Sequence, residues 1–178
     1  MKTLEKIYKT LLLTLVLVTA VACSDDDDVT MPPAKNTIAD FVVANQANYG
    51  LLLEALQKAD GDLVTTLSGD GPFTVFAPND AAFTAFLSDN GFANLDAVPT
   101  DVLSQILLNH VIVGSVQSTQ LSTGYIKTLA TSSAANQTMS MFVDTSAGVV
   151  LNGVSTVTGA DNIVDNGVVH VVGGVLLP

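Results

Sequence analysis

The sequence predicts an α+β protein. Apolar residues recur at helical spacing through the front half, from about Thr37 to Asn109. After Gly114 the pattern changes to period two, the spacing of strands with one face buried. Two Asn-Gly pairs, Asn152-Gly153 and Asn166-Gly167, fall between β-rich runs, where they supply the positive φ angles of tight hairpins. Helices first and strands after, without regular alternation, is the α+β pattern.

The chain begins with a basic end (Lys2, Lys6, Lys9), an apolar run over 11–19 and the small residues Ala20, Val21 and Ala22, followed by Cys23. This is the layout of a secretory signal. The apolar run is short against the roughly 20 residues of a transmembrane helix. Ala20-Val21-Ala22-Cys23 resembles a bacterial lipobox, with Ala20 where Leu is preferred and Ala22 where Gly is frequent. The resemblance implies cleavage before Cys23, the only cysteine, and lipidation of its thiol and new amino terminus. Ser24 and the four acids Asp25 to Asp28 look like the acidic tether of surface-exposed lipoproteins in Bacteroidetes-type bacteria. Physically such a run is a solvated, self-repelling linker, and Pro32-Pro33 stiffens its end. The expected organisation is a signal peptide over 1–22, a lipidated cysteine and tether over 23–35, and one domain over 36–178.

Within the domain, Thr37 to Gln46 is predicted helical, with Ile38, Phe41, Val42 and Asn45 on one face and Asn36 or Thr37 as N-cap. Tyr49 to Ala59 forms a second helix, stopped by Asp60-Gly61, with Leu52, Leu53 and Leu56 inward. Leu63 to Leu67 is a short helical piece, and Gly69 to Pro72 a turn. Phe73 to Ala77 reads as a buried strand. Asn79 caps a helix from Asp80 to about Ser88, with Asp80 at the positive end of its dipole. Thr100 is expected to cap Asp101 to Asn109, with Val102, Leu103, Ile106 and Leu107 inward. Strands are expected at Tyr125–Leu129, Thr138–Val143, Gly148–Leu151, Val154–Thr158, Asn162–Asp165, Val168–Val172 and Val175–Leu177.

Composition excludes several functions. The formal charge is −11, and removing a leader of net +2 takes it to about −13. There is no arginine, and beyond the leader only Lys35, Lys58 and Lys127 are basic. Nucleic acid needs clustered cations, so it is not an expected partner. Charge does not hold the chain to anionic lipid either, so membrane contact falls to the lipid anchor. One cysteine forms no disulfide within the chain, and the domain is long enough to bury a core without one.

Three segments carry a family resemblance: Gly71-Pro72-Phe73-Thr74-Val75-Phe76-Ala77-Pro78-Asn79-Asp80-Ala81-Ala82-Phe83, Leu107-Leu108-Asn109-His110-Val111-Ile112-Val113-Gly114, and Asn166-Gly167-Val168-Val169-His170 onward to Pro178. In order and spacing they resemble a fasciclin-like domain over about Asn36 to Pro178. The motif positions are Thr74, Phe76, Ala77, Pro78, Asp80, Phe83, Asn166, Gly167 and His170. The resemblance implies a β-sandwich-like wedge packed with several short helices, in surface proteins linked to adhesion and partner binding without catalysis. Animal members have been proposed to bind receptors through a Tyr-His pair and an Asp-Ile pair. Here Asn109 precedes His110, and Asn162 separates Asp161 from Ile163, so receptor binding is not carried over. Ala82 stands where an acid is common. The matching positions Asn109, His110, Val111, Asp161, Asn162 and Ile163 remain the candidate partner surface.

No catalytic set is legible. His110 and His170 are the only histidines, each in an apolar run, and are expected to be half-buried and hydrogen-bonded. A general base also needs a nucleophile and an orienting group, and no Gly-x-Ser-x-Gly elbow is present. No metal is expected: two distant histidines make no zinc set, and Asp25 to Asp28 lack the glycine and alternating ligands of a calcium loop. No glycine-rich phosphate cradle opens a helix, and no cofactor is expected. With no Trp and 6% aromatics, a broad aromatic sugar platform is not expected; composition leaves a narrow hydrogen-bonded sugar site open. Phe73, Phe76, Phe83 and Phe86 sit at core-like positions, which leaves Tyr49 and Tyr125 as the tyrosines available for exposure. The sequence therefore points to a lipid-anchored, outward-facing outer-membrane binding module for a protein or glycan partner on cells or matrix. The alternative is a structural accessory subunit of an outer-membrane nutrient-handling complex.

Overall fold

The computed structural model describes residues 35–59, 61, 63–132 and 137–178. The leader, Cys23 and the acidic run lie outside these residues. The helices are α1 (Ile38–Ala44), α2 (Gln46–Lys58), α3 (Leu63–Ser68), α4 (Asp80–Asp89) and α5 (Thr100–Asn109). The strands are β1 (Phe73–Pro78), β2 (Val111–Val113), β3 (Gly124–Thr131), β4 (Thr138–Asp144), β5 (Val150–Leu151), β6 (Ser155–Val164) and β7 (Gly167–Val172). They form one ladder in the order β2-β1-β7-β6-β5-β4-β3. All neighbours are antiparallel except β1 and β7, which run parallel from Phe73↔Gly167 to Pro78↔Val172.

β1 is central and buried on both faces, as its nearly continuous apolar run requires. Its side chains alternate between two cores. Val75 and Ala77 join Val111 and Val169 beneath the helices, against Ile38, Leu52, Leu56, Phe83, Leu103, Ile106 and Leu107. Phe76 joins Ile112 and Val172 on the other face, against Met141, Val143 and Leu151 of β4 and β5. One ladder thus folds back on itself, and the bend falls on β6. Its register shifts between Val157 and Gly159 and again between Gly159 and Asn162, and such bulges bend a strand and steepen its twist. The α+β, sandwich-like wedge that the resemblance implied is what the domain over Lys35–Pro178 forms.

The caps follow from local chemistry. Thr37 caps α1 in a capping box with Asp40. Asn79 caps α4 by accepting from the Ala82 amide. Asp80 does more than favour the helix dipole: its Oδ1 accepts from the Leu51 amide at 2.9 Å. This holds α2 where it restarts after a non-helical Tyr49.

Several expectations are corrected. Pro99 stands at the N-cap of α5, and its carbonyl accepts from the Leu103 amide, so Thr100 is the first helical residue. Val102 points outward, one position off the Leu103-Ile106-Leu107 stripe. The runs expected at Val154–Thr158 and Asn162–Asp165 belong to the single bulged strand β6, apart from the turn residues Val154 and Asp165, because Gly159 to Asp161 interrupts the alternation without ending the pairing. Asn152 and Gly153 take positive φ (50° and 71°) as expected. At the other hairpin Asp165 and Asn166 form the turn, and of the Asn-Gly pair only Gly167 has positive φ. Val175–Leu177 is not a strand, because Leu176 bonds to a side chain rather than a ladder. β2 was not expected: three residues directly after a helix show no period.

Candidate functional site

The first candidate group closes the fold. Asn109 and His110 end α5, and Val111 opens β2 opposite Val75. All three are buried. Asn109 donates through Nδ2 to the Leu177 carbonyl at 3.1 Å and accepts the Thr128 hydroxyl at 3.1 Å. His110 Nδ1 donates to the Ile106 carbonyl at 2.7 Å, and Nε2 accepts from the Leu176 amide at 2.9 Å. These bonds fix a neutral ring with its proton on Nδ1. Burial pushes the imidazole down to about 4, against a smaller opposing effect of the Ile106 bond. The pair fastens the C-terminal segment to α5. Asn109, His110 and Val111 are corrected from partner surface to core, and His110 from half-buried to fully buried.

The second group sits on the β6 bulge. Asp161 has φ 62°, a conformation in which Asp and Asn are enriched among non-glycine residues. Its carboxylate accepts from the Ser118 amide at 2.7 Å and the Ser118 hydroxyl at 2.5 Å. The Ser118 hydroxyl is the main reason that Asp161 titrates below the usual carboxylate range, with the Ser118 amide next. The Asp161 amide donates to His170 Nδ1 at 3.2 Å, and His170 Nε2 donates to the Val116 carbonyl at 2.9 Å. His170 is wholly buried, another correction from half-buried. Thr74 completes the set: its hydroxyl donates to the Gly114 carbonyl and accepts from the Val116 amide. Thr74, His170 and Asp161 thus pin the 114–118 loop. Asn162 bonds the Val169 carbonyl across the ladder. Ile163 alone of the six candidates is open, at 63% exposure.

Phe76 links the two groups. Its amide donates to the His110 carbonyl, and its ring stacks on His170 with centroids 5.4 Å apart. Ser, Asp and His do meet, but in an order unsuited to nucleophilic catalysis. The Ser118 hydroxyl bonds the carboxylate rather than the imidazole, and both His170 nitrogens are engaged by backbone. Among the described residues no cluster of three His, Cys, Asp or Glu side chains could hold a metal. An open groove of about 730 Å³ between α5 and the β3–β4 end, lined by Val102, Gln105, Leu108, Thr131 and Met139 among others, contains none of the six candidates.

The remaining motif positions are structural. Ala77 and Phe83 are core, and Pro78 ends β1. Asn166 accepts from the Ile38 amide and donates to the Leu67 and Gly69 carbonyls, joining α1, α3 and the β6–β7 turn. Gly167 is required by close approach, since a Cβ there would stand 1.9 Å from the Phe73 carbonyl oxygen. Of the two tyrosines considered for exposure, Tyr49 is buried and Tyr125 is 78% exposed. Its cross-strand partner Phe142 was not singled out in the sequence; the signal was the outward register of two adjacent period-two runs.

The sandwich-like wedge, with its two histidine anchors inside, is the architecture of a fasciclin domain. The fasciclin domain model matches residues 47–178, and the chain belongs to that family. It is 35% identical over 137 residues to Protein sll1483 of Synechocystis sp., covering 77% of this chain and 71% of that one. It is 29% identical over 136 residues to the Synechocystis protein sll1735, covering 76% of this chain and 94% of that one. The structure resembles a FAS1 domain pair from the insect cell adhesion molecule Fasciclin I with a TM-score of 0.62 at 17% identity. That match covers 80% of this chain and spans about half, 51%, of the domain pair.

Proposed function

We propose that this chain is a lipid-anchored, surface-exposed binding module that mediates cell adhesion or contact between cell envelope and matrix, without catalysis. Membership of a family known from adhesion-type proteins carries the proposal. The anchor rests on Cys23, placed between an apolar run with small residues and four aspartates. The domain's polar groups support a non-catalytic role, because both histidines are committed to bonds that hold the fold.

Two experiments test it. Fractionation of producing cells should find the protein in the outer membrane and the Cys23→Ala variant released; retention of the variant would remove the lipid anchor. The labelled full-length protein, titrated onto producing cells, matrix proteins and matrix glycans, should bind at least one of them saturably. No binding to any, with stoichiometric co-purification of membrane partners, would make it an accessory subunit instead.

A further inference from the structure

We infer that the outward face of the β3–β4 ladder, centred on Tyr125 and Phe142, binds uncharged hexose polymers. This deepens the binding-module proposal and rests on it. Tyr125 is the most exposed large apolar side chain among the described residues. It lies directly across the ladder from Phe142, with ring centroids 5.1 Å apart and planes at 58°. Met141 and Val143 on either side of Phe142 point into the core, so the aromatic pair lies on the outer face of the ladder, Tyr125 open to solvent and Phe142 half-buried beside it. Exposed aromatics with a polar tip are what recognition surfaces use, since they bring large contact area at little entropic cost.

The flanking residues indicate the ligand. One pair further along the same face, Lys127 stands opposite Ser140. Two residues advance a strand by about 6.7 Å, comparable to the width of one hexose ring. A sugar whose apolar face rests on the Tyr125 ring, with Phe142 tilted against its edge, therefore presents its hydroxyls to an ammonium and a hydroxyl group. On the other side, Thr123 stands beside the pair, its hydroxyl bonded to that of Thr145 at 3.0 Å. The face is thus polar, aromatic, polar along the strand direction.

Charge narrows the class. Lys35 and Lys58 are ion-paired, whereas Lys127 has no ion pair among the described residues. The neighbouring Asp144 on the same face balances it, leaving the patch near neutral. A polyanion is repelled by a molecule of net charge −11, and a polycation finds no acidic cluster beside the rings. An uncharged ligand with both an apolar face and many hydroxyls matches what is present.

The test titrates full-length protein with β-1,4-glucan, β-1,3-glucan and mannan hexamers, with polygalacturonate as the anionic comparator, followed by amide chemical shifts and calorimetry. At least one neutral hexamer should bind saturably, with shifts concentrated on β3 and β4. Tyr125→Ala should weaken it by about tenfold, the scale of one lost aromatic contact, while Tyr125→Phe should retain binding. Tyr125 is exposed, so both variants should melt like the parent. Hexamer binding that Tyr125→Ala leaves unchanged, or a preference for polygalacturonate, would overturn the site. So would silence toward every hexamer from protein that still binds cells or matrix proteins, and in that case the binding-module proposal survives. Failure to bind any sugar, cell or matrix protein removes both.

Discussion

His110 should make this domain lose stability as pH falls from about 6.5 toward 4. The ring is buried, donates to the Ile106 carbonyl and accepts from the Leu176 amide, so it fits only the neutral form. Its folded value lies at about 4 against an ordinary 6.5. As pH falls below 6.5 the unfolded chain takes up a proton that the folded chain refuses until about pH 4. The contribution is therefore complete above 6.5, declines between those values and is flat below. At about 1.4 kcal/mol per pH unit, the whole loss is roughly 3 kcal/mol, with about 2 kcal/mol gone by pH 5. Asp40, Asp144 and Asp161 are held below the normal 3.8 by hydrogen bonds, so their losses begin at lower pH. Urea unfolding of the wild type and His110→Gln between pH 7.5 and 4.5 isolates the effect. Glutamine retains an acceptor for Leu176 but does not titrate. The two stabilities should converge on acidification by about 2 kcal/mol at pH 5. A constant difference across the range would show that the imidazole titrates alike in the folded and unfolded chain, and the buried neutral form assigned to it would be wrong.

Three other outcomes follow from the packing. Phe76→Ala removes a fully buried ring between His170 and the sandwich core. It should cost about 3–5 kcal/mol in chemical unfolding; an unchanged midpoint would misplace the core. Gly167→Ala should yield no folded protein, because its Cβ would overlap the Phe73 carbonyl. Gly153→Ala, also at positive φ but in open space, should fold and lose only about 1 kcal/mol; equal behaviour of the two glycine variants in circular dichroism would show that φ rather than close approach decides.

The elements of the front half were legible because each has a local cause. Thr37 and Asn79 are caps written in the sequence, and the Leu52–Leu56 and Leu103–Leu107 stripes follow helical spacing. The back half was legible in strand content but not in continuity. Gly159 and Asp161 look like a break, yet β6 continues through them as a bulge, since the ladder is held by β7 on the far side. The pairing of β1 with β7 joins residues nearly a hundred positions apart, and no local pattern encodes it. The Asn109–Val111 half of the candidate surface is buried for a related reason. Asn and His in an apolar run fit both an interface and a buried junction. What decided for the junction was the pair of backbone partners at Leu176 and Leu177, which only the folded chain brings near.

The burial of Asn109 and His110 bears on how the domain can recognise a partner. Asn109 and His110 hold the C-terminal segment to α5, and Asp161 and His170 hold the 114–118 loop to the sheet. Asn109, His110 and His170 are buried with partners inside the molecule, and releasing one of them to meet a ligand would leave a desolvated polar atom at about 1–3 kcal/mol. Binding through them would therefore work against folding. On the proposed binding role, recognition would fall to side chains whose removal leaves the interior untouched. On the outward sheet face Tyr125 and Phe142 meet that condition, supported from beneath by Met141 and Val143 rather than taking part in the core. Such a face can vary freely, because a change there would alter any ligand it meets without altering what holds the fold together.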